Sequence, residues 1–495
     1  MFRSLAVRNY RLFAMGQIVS NTGTWMQRVA QDWLVLQLTD GSAIALGVTT
    51  ALQFLPMLLF GLWGGVLADR YPKRRVLLIS QALMGVIALG LGLLALTGTA
   101  QVLHVYAFAL ALGVVTVIDN PTRQTFVVEM VGKHDLANAI ALNSAMFQFG
   151  RVLGPAVAGL AIAAIGTGPV FLVNAASYIG VLAGLYAMRA SELHTTEPVP
   201  RAKGQLRAGL SYVNGRADLK LLLVLLAFVS LFGTSLQPTV ALMTTQVFQT
   251  GAGEFGLAAT MLAVGSLGGA LLAARRARPR LRLPLLSALA FGAVLIATAF
   301  VPNYVGFLLV LVPLGVLLLT FNTAMNAMFQ LSVDPQMRGR VMGLYMLLFA
   351  GMAPIGAPVF GAIAELSGAR AALVVGGAMS VLVAVVITAL LARSERVAFQ
   401  LAFHPWPRLS VTRTPRPVAA VPEPEPAVEP EPERVTPEAA PVGVDVSSAE
   451  PEPAPGPASE RPCPSDAAPH REERRSHPAR PRRSAQRVRR AALPD

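Results

Sequence analysis

Every second gap between the long apolar runs of this chain is rich in Lys and Arg, and the intervening gaps are nearly free of them. Runs of about 20 apolar residues are long enough to cross a bilayer as helices. Twelve are expected, near 10–37, 43–67, 76–98, 101–121, 137–165, 169–189, 220–248, 254–274, 284–302, 305–330, 338–364 and 371–392. Arg3, Arg8 and Arg11 precede or open the first run. Arg70, Lys73, Arg74 and Arg75 follow the second, and Arg123 and Lys133 the fourth. Six cations from Arg189 to Lys220 follow the sixth, Arg275 to Arg282 carry five after the eighth, and Arg338 and Arg340 follow the tenth. The odd-numbered connections hold only Arg370. Lys and Arg are retained on the cytoplasmic side of a membrane, so both termini are expected there. A missed span would scramble the alternation, which therefore also supports the count.

Composition agrees. The chain is 54% hydrophobic and 14% charged, with a mean hydropathy of +0.55, against about 25% charged in soluble domains. The net charge of +14 does not argue for nucleic acid, because the excess cations sit in short loops. Residues 393–495 hold 16 Arg against 15 acids. Cys463 is the only cysteine and cannot form an intrachain disulfide. Phe2–Arg11 is short and basic and leads straight into the first span. That span is expected to act as its own insertion signal, not as a cleaved leader. No G-x-x-x-x-G-K-[ST] loop occurs, which argues against ATP-driven transport. No H-E-x-x-H, G-x-S-x-G or cysteine cluster is present, so the chain is not expected to be an enzyme, and no cofactor or metal is expected.

Between the second and third runs lies GGVLADRYPKRR (64–75). It resembles the signature loop G-x-x-x-D-R-x-G-R/K-R/K of the major facilitator superfamily. Gly65, Asp69, Arg70, Lys73 and Arg74 fit, and Pro72 stands where the family has Gly. An internal repeat supports the same resemblance. Gly154-Pro155 then Gly159 recurs as Gly356-Ala357-Pro358 then Gly361, and Gly64-Gly65 recurs as Gly268-Gly269. In the second copy Ala274 and Arg275 replace the Asp-Arg pair. The resemblance implies an all-α integral membrane protein of two pseudo-symmetric six-helix bundles, 1–190 and 220–392. A cytoplasmic linker (191–219) would join them, and a disordered Pro/Glu/Arg-rich tail (393–495) would follow. Substrate would bind near midplane, where the halves meet, and access would alternate by rocking. Residues 119–131, 137–159 and 338–345 are similar to the branch of enterobactin, drug and siderophore exporters.

Several residues are candidates for the work of transport. The resemblance implies a cytoplasmic gate in which Asp69 meets the helix starting near Arg338–Arg340 and Arg70 meets Asp119. Asp119, Arg123 and Glu129 also read as a structural charge cluster with the loop. Gln17, Asn21, Arg28 and Asp32 share one face of the first span. Charges at membrane depth cost about 2.5–3.5 kcal/mol each on insertion scales, so they should face a cavity or a partner. Arg28 and Asp32 are spaced as an i,i+4 ion pair. Asp32 is the candidate proton-coupling acid, because an apolar site favours the protonated form of a carboxylate. The alternative is that the two charges simply neutralise each other. Gln148 and Arg151 follow in the fifth span, where Gly150, Gly154, Pro155 and Gly159 are similar to the antiporter signature G-x-x-x-G-P-x-x-G-G. Ordinary small-residue packing would use the same residues. Gln237, Asn322 and Asn326, with Trp25, Phe147 and Met325, are expected to line an amphipathic cavity.

The expected function is secondary transport, with proton-coupled efflux of small amphipathic molecules. The alternatives are an importer of the same fold, and a transport-inactive sensor or scaffold acting through its tail. The expected partners are a small-molecule substrate, a proton gradient and the bilayer, with the chain acting as a monomer in a bacterial cell membrane.

Overall fold

A computed structural model describes residues 3–194, 205–233, 235–275, 281–395, 398–402 and 408–412. The first half contains α1 (Arg8–Leu38), α2 (Ala43–Arg70), α3 (Lys73–Leu96), α4 (Val102–Ile165) and α5 (Thr167–Tyr186). A short helix, α6 (Gln205–Asn214), lies in the connection between the halves. The second half contains α7 (Ala217–Gly233), α8 (Leu236–Leu242), α9 (Ala252–Ala274), α10 (Arg282–Ala299), α11 (Tyr304–Ser332), α12 (Pro335–Gly351), α13 (Ala353–Ser367) and α14 (Ala369–Glu395). Among the described residues, eleven helical stretches are long and apolar enough to cross a membrane. The twelfth span is α1, which is 31 residues long and packs on α4 and α5. Its polar stripe is what lowers its hydropathy.

Local chemistry sets the helix ends. Ser42 Oγ accepts from Ala45 N at 3.3 Å at the start of α2, and Asn303 Oδ1 accepts from Gly306 N at 2.7 Å at the start of α11. Side-chain caps of this kind satisfy helix N–H groups that otherwise have no partner. α4 and α13 both stop at a glycine with positive φ, Gly166 at 79° and Gly368 at 86°. These two occupy equivalent places in the sequence repeat.

One expected boundary is corrected. The fourth span does not end near 121. Helix continues through Pro121, and α4 carries both its spans, Val102–Gly132 and His134–Ile165, with Gly132 (φ 67°) as the break. The polar run 119–125 looks like a loop, but Phe126, Val127, Met130 and Val131 are buried and hold that stretch in the bundle. Arg123 is therefore a helix residue. The seventh and eleventh spans keep close to their expected bounds, at Ala217–Val247 and Gln336–Ser367. The seventh carries α7 and α8 and ends in a π-turn, Met243–Val247. The eleventh has a single turn residue, Met352, between α12 and α13.

After α14 the chain pairs as two antiparallel strands, β1 (Ala398–Ala402) and β2 (Arg408–Thr412), with Ala398 opposite Thr412. The stretch expected to begin an unstructured tail therefore has regular backbone here. Residues 413–495 lie outside the described residues.

The repeat has a packing basis. Gly64 lets α2 lie against the Val117 carbonyl of α4, and Gly269 lets α9 lie against the Val316 carbonyl of α11. Between the halves, Gly159 of α4 meets Gly256 of α9, while Gly361 of α13 meets the Ala43 carbonyl of α2. The same crossing occurs twice, once in each direction. Residues 276–280 of the second basic run lie outside the described residues.

Candidate functional site: a cavity between the halves

A cavity of about 420 Å³ lies between the two halves. The first half lines it with Trp25, Arg28 and Asp32 from α1, Thr50, Gln53 and Phe54 from α2, and Phe147, Gln148 and Arg151 from α4. The second half contributes Gln237, Ser266, Asn322 and Phe349, among others. Gly233 of α7, Leu236 of α8 and Ala350 of α12 border it as well.

Arg28, Asp32, Gln148, Arg151, Gln237 and Asn322, all named from the sequence, share this wall. Asn326 does not. It lies one turn further along α11, where its Oδ1 accepts from Gln330 Nε2 at 2.5 Å. Met325 is fully buried in the core. Gln53, Thr50, Phe54 and Phe349 were missed by the sequence reading. Polar residues inside an otherwise apolar run are the signal that points to Thr50 and Gln53.

The expected Arg28–Asp32 ion pair is absent among the described residues. The Arg28 guanidinium carbon stands 4.8 Å from the centre of the Trp25 ring and 5.7 Å from that of Phe54. Arg151 approaches Trp25 as well, at 5.6 Å. Trp25 in turn meets Phe147 edge to face at 5.8 Å. Asp32 is engaged from the other half, where Gln237 Nε2 donates to its Oδ2 at 3.3 Å. A long Arg side chain reaches back one turn to Trp25, and ring faces attract guanidinium groups by about 0.5–2 kcal/mol. Asp32 finds its donor across the interface instead.

The polar stripe of α1 therefore divides. Gln17 and Asn21 take Arg123 Nη1 at 3.2 and 3.5 Å, and Arg28 and Asp32 face the cavity. Arg123 also pairs with Asp119, a fully buried carboxylate that accepts from Ser80 Oγ at 2.7 Å and Gln81 Nε2 at 2.8 Å. Arg70, expected at Asp119, is exposed instead. The lone pairs of Asp119 are already taken by groups of α3 and α4. The Asp69 side chain lies outside the described residues. Of the remaining loop cations, Lys73 Nζ bonds Glu129 Oε1 at 2.6 Å, and Arg74 donates to the Leu185 and Tyr186 carbonyls at the end of α5. Cations at a helix C-terminus are favourable.

The Lys73–Glu129 side chains are only 13% and 9% exposed. Removing one partner of a buried pair strands the other charge, at a cost of about 3–5 kcal/mol. Glu129→Ala is therefore expected to lower the thermal unfolding midpoint in detergent clearly, and Arg70→Ala to leave it unchanged. Equal effects from both would show that the pair contributes nothing.

Among the described residues, the hydrogen bonds that join the halves lie away from the 64–75 loop. Gln237 bonds Asp32, and Gln246 Nε2 donates to the Gly41 carbonyl at 2.9 Å. Glu365 Oε2 accepts from Ala43 N at 2.6 Å, and from Ile44 N and Ser42 Oγ at 3.3 Å. The Glu365 carboxylate of α13 thus caps α2 across the interface. Stacking of Trp33 on Phe255, with ring centres 6.3 Å apart, adds an apolar contact at the same end. Gly150 and Gly154 seat α4 on α1, whereas Gly159, with the Pro155 carbonyl, seats it on α9. The antiporter-like stretch therefore serves two seams, one within a half and one between halves. Glu365→Ala is expected to weaken closure at this end by about 1 kcal/mol, seen as faster labelling of a cysteine placed at Gln148. An unchanged labelling rate would show that the cap carries no closing force.

Comparison with known proteins gives the same picture. The chain is 25% identical over 350 residues to a staphyloferrin A transporter of Staphylococcus aureus, covering 70% of this chain and 87% of that one. It is 26% identical over 373 residues to the multidrug efflux pump Tap of Mycolicibacterium fortuitum, covering 73% and 90%. It is 27% identical over 321 residues to the enterobactin exporter EntS of Shigella boydii, covering 63% and 74%. In fold it is similar to a bacterial homolog of the human lysosomal transporter Spinster in an inward-facing and occupied conformation, with a TM-score of 0.61 at 17% identity over 79% of this chain and 97% of that one. It is also similar to a POT family transporter, with a TM-score of 0.63 at 11% identity over 78% and 96%. Residues 1–414 match the family described as transmembrane secretion effectors. With its helices in two halves around a shared cavity, the chain belongs to that family of the major facilitator superfamily, as a multi-pass membrane transporter and not an enzyme.

Proposed function

We propose that the protein is a proton-driven exporter of small amphipathic molecules and that the cavity between its halves is the substrate site. Asp32 is the coupling acid in this reading. The observation that carries it is the bond from Gln237 to Asp32 across the interface. A carboxylate that faces the cavity and also ties one half to the other links its own protonation to the separation of the halves. The aromatic and amide lining supports an amphipathic ligand. The efflux pumps and siderophore exporters among the relatives support outward transport.

The Lys and Arg distribution supports cytoplasmic termini, with the 64–75 loop on the same side. The Glu365 cap and the glycine seam then close the outer end, and the cavity belongs to a state sealed from outside. The chain works as a monomer in this reading, since each chain holds both halves of the site. The test is a substrate screen in everted vesicles with an imposed pH gradient. Uptake that collapses when a protonophore removes the gradient is expected. Uptake indifferent to the gradient would overturn proton coupling, and release in place of uptake would overturn export.

A further inference from the structure

We infer that the cavity selects amphipathic anions, held through Arg28 and Arg151. This rests on reading the cavity as the substrate site and adds the charge class of the ligand. The lining residues include two guanidinium groups and one carboxylate, Asp32. Both guanidinium groups stand over the single Trp25 ring, at 4.8 and 5.6 Å from its centre. Among the described residues neither donates a hydrogen bond and neither makes an ion pair, while Asp32 is engaged by Gln237.

Cations at this depth are costly unless compensated. A ring face orients a guanidinium but leaves its in-plane N–H donors free. Those donors form a fork that matches carboxylate, sulfonate or phosphate oxygens. The remainder of the wall fits the other end of such a ligand. Phe54, Phe147 and Phe349 offer apolar faces. Asn322 Oδ1 is buried without a hydrogen-bond partner and accepts from a ligand N–H or O–H. The ligand class is therefore a molecule with an acidic group, a flat or apolar body and at least one donor. A lipophilic cation would meet two like charges and leave both forks unfilled.

Two probes that share a fluorophore separate the classes, dansylglycine as the anion and dansylcadaverine as the cation. Binding is followed by fluorescence anisotropy on the full chain in nanodiscs of neutral phosphatidylcholine, with empty discs subtracted. Dansylglycine is expected to bind at least about tenfold more tightly than dansylcadaverine. Arg28→Gln and Arg151→Gln should each weaken dansylglycine about tenfold, the loss of one charge-assisted contact. Arg28→Lys retains the charge and should keep the preference for the anion, which separates charge from folding. Arg370→Gln, on an exposed cation that bonds the Val301 carbonyl, should change nothing. Equal or tighter binding of dansylcadaverine would overturn the inference. So would unchanged dansylglycine binding in the doubly substituted Arg28→Gln, Arg151→Gln protein. Transport fails separately: charge-selective binding without gradient-driven flux in proteoliposomes would sink the exporter reading and leave the anion site standing.

Discussion

Asp32→Asn is expected to abolish flux driven by a pH gradient while leaving downhill exchange of substrate in place. Asparagine keeps the shape of aspartate and can still meet Gln237, but it carries no titratable proton. In the wild-type chain the Gln237 amide donates to a carboxylate at 3.3 Å across the two halves. A hydrogen bond to a charged acceptor contributes about 1.5–3 kcal/mol, and this long one falls at the lower end. Losing that much shifts a two-state balance about tenfold. In the proposed reading, protonation of Asp32 weakens this tie between the halves, and the neutral side chain of the Asn variant holds it in the weakened condition at every pH. Proteoliposomes with substrate inside and an imposed pH gradient measure the first flux. Counterflow without a gradient measures the second. Intact gradient-driven efflux in the variant would remove Asp32 as the coupling acid.

Gly256→Val is expected to trap the transporter away from the closed α4–α9 seam. A Cβ at 256 would stand 2.5 Å from Gly159 Cα and 2.6 Å from the Pro155 carbonyl oxygen. Both neighbours are backbone of α4 and cannot rotate aside. Overpacking of this kind costs about 1–3 kcal/mol, which is about five- to 150-fold against any state that brings α4 and α9 together. Substrate flux should fall by at least about fivefold, while the protein still folds, because the clash is relieved by parting the halves. A cysteine at Gln148, in a Cys463→Ser background, should become reactive to an impermeant maleimide added outside. Gly253→Val is the control, since a Cβ there meets nothing within 4 Å. Wild-type flux in Gly256→Val would show that the seam need not close.

Much of the architecture is legible in the sequence because the bilayer constrains it so strongly. Apolar runs must be helical, since hydrocarbon offers no partner to a free N–H or C=O. Elements that depend on side-chain partners were less legible. The run 119–125 reads as a connection because Asp119, Arg123 and Pro121 are poor company for a membrane helix. It is helical because Ser80, Gln81, Gln17 and Asn21 satisfy its charges from α3 and α1. The same reasoning separates the candidate residues. Arg28, Asp32, Gln148 and Arg151 were found because polar groups in apolar runs need a destination. Phe54 and Phe349 were not, since an aromatic residue in a membrane helix looks the same whether it faces lipid, core or cavity.

Hydropathy and charge by themselves determined where the apolar spans lie and the alternation of cationic loops, because these follow from the energetics of a single helix against lipid and water, and recurring Gly and Pro positions exposed the two-fold repeat. Only the tertiary structure decided the partners. It turned Arg28 onto Trp25, gave Asp32 to Gln237, took Asp119 from Arg70 and gave it to Arg123, and laid Gly159 on Gly256. Each choice depends on which helices come within a few ångströms of one another. Helices hundreds of residues apart in sequence meet through packing of both halves at once, and no local spacing rule reports that distance.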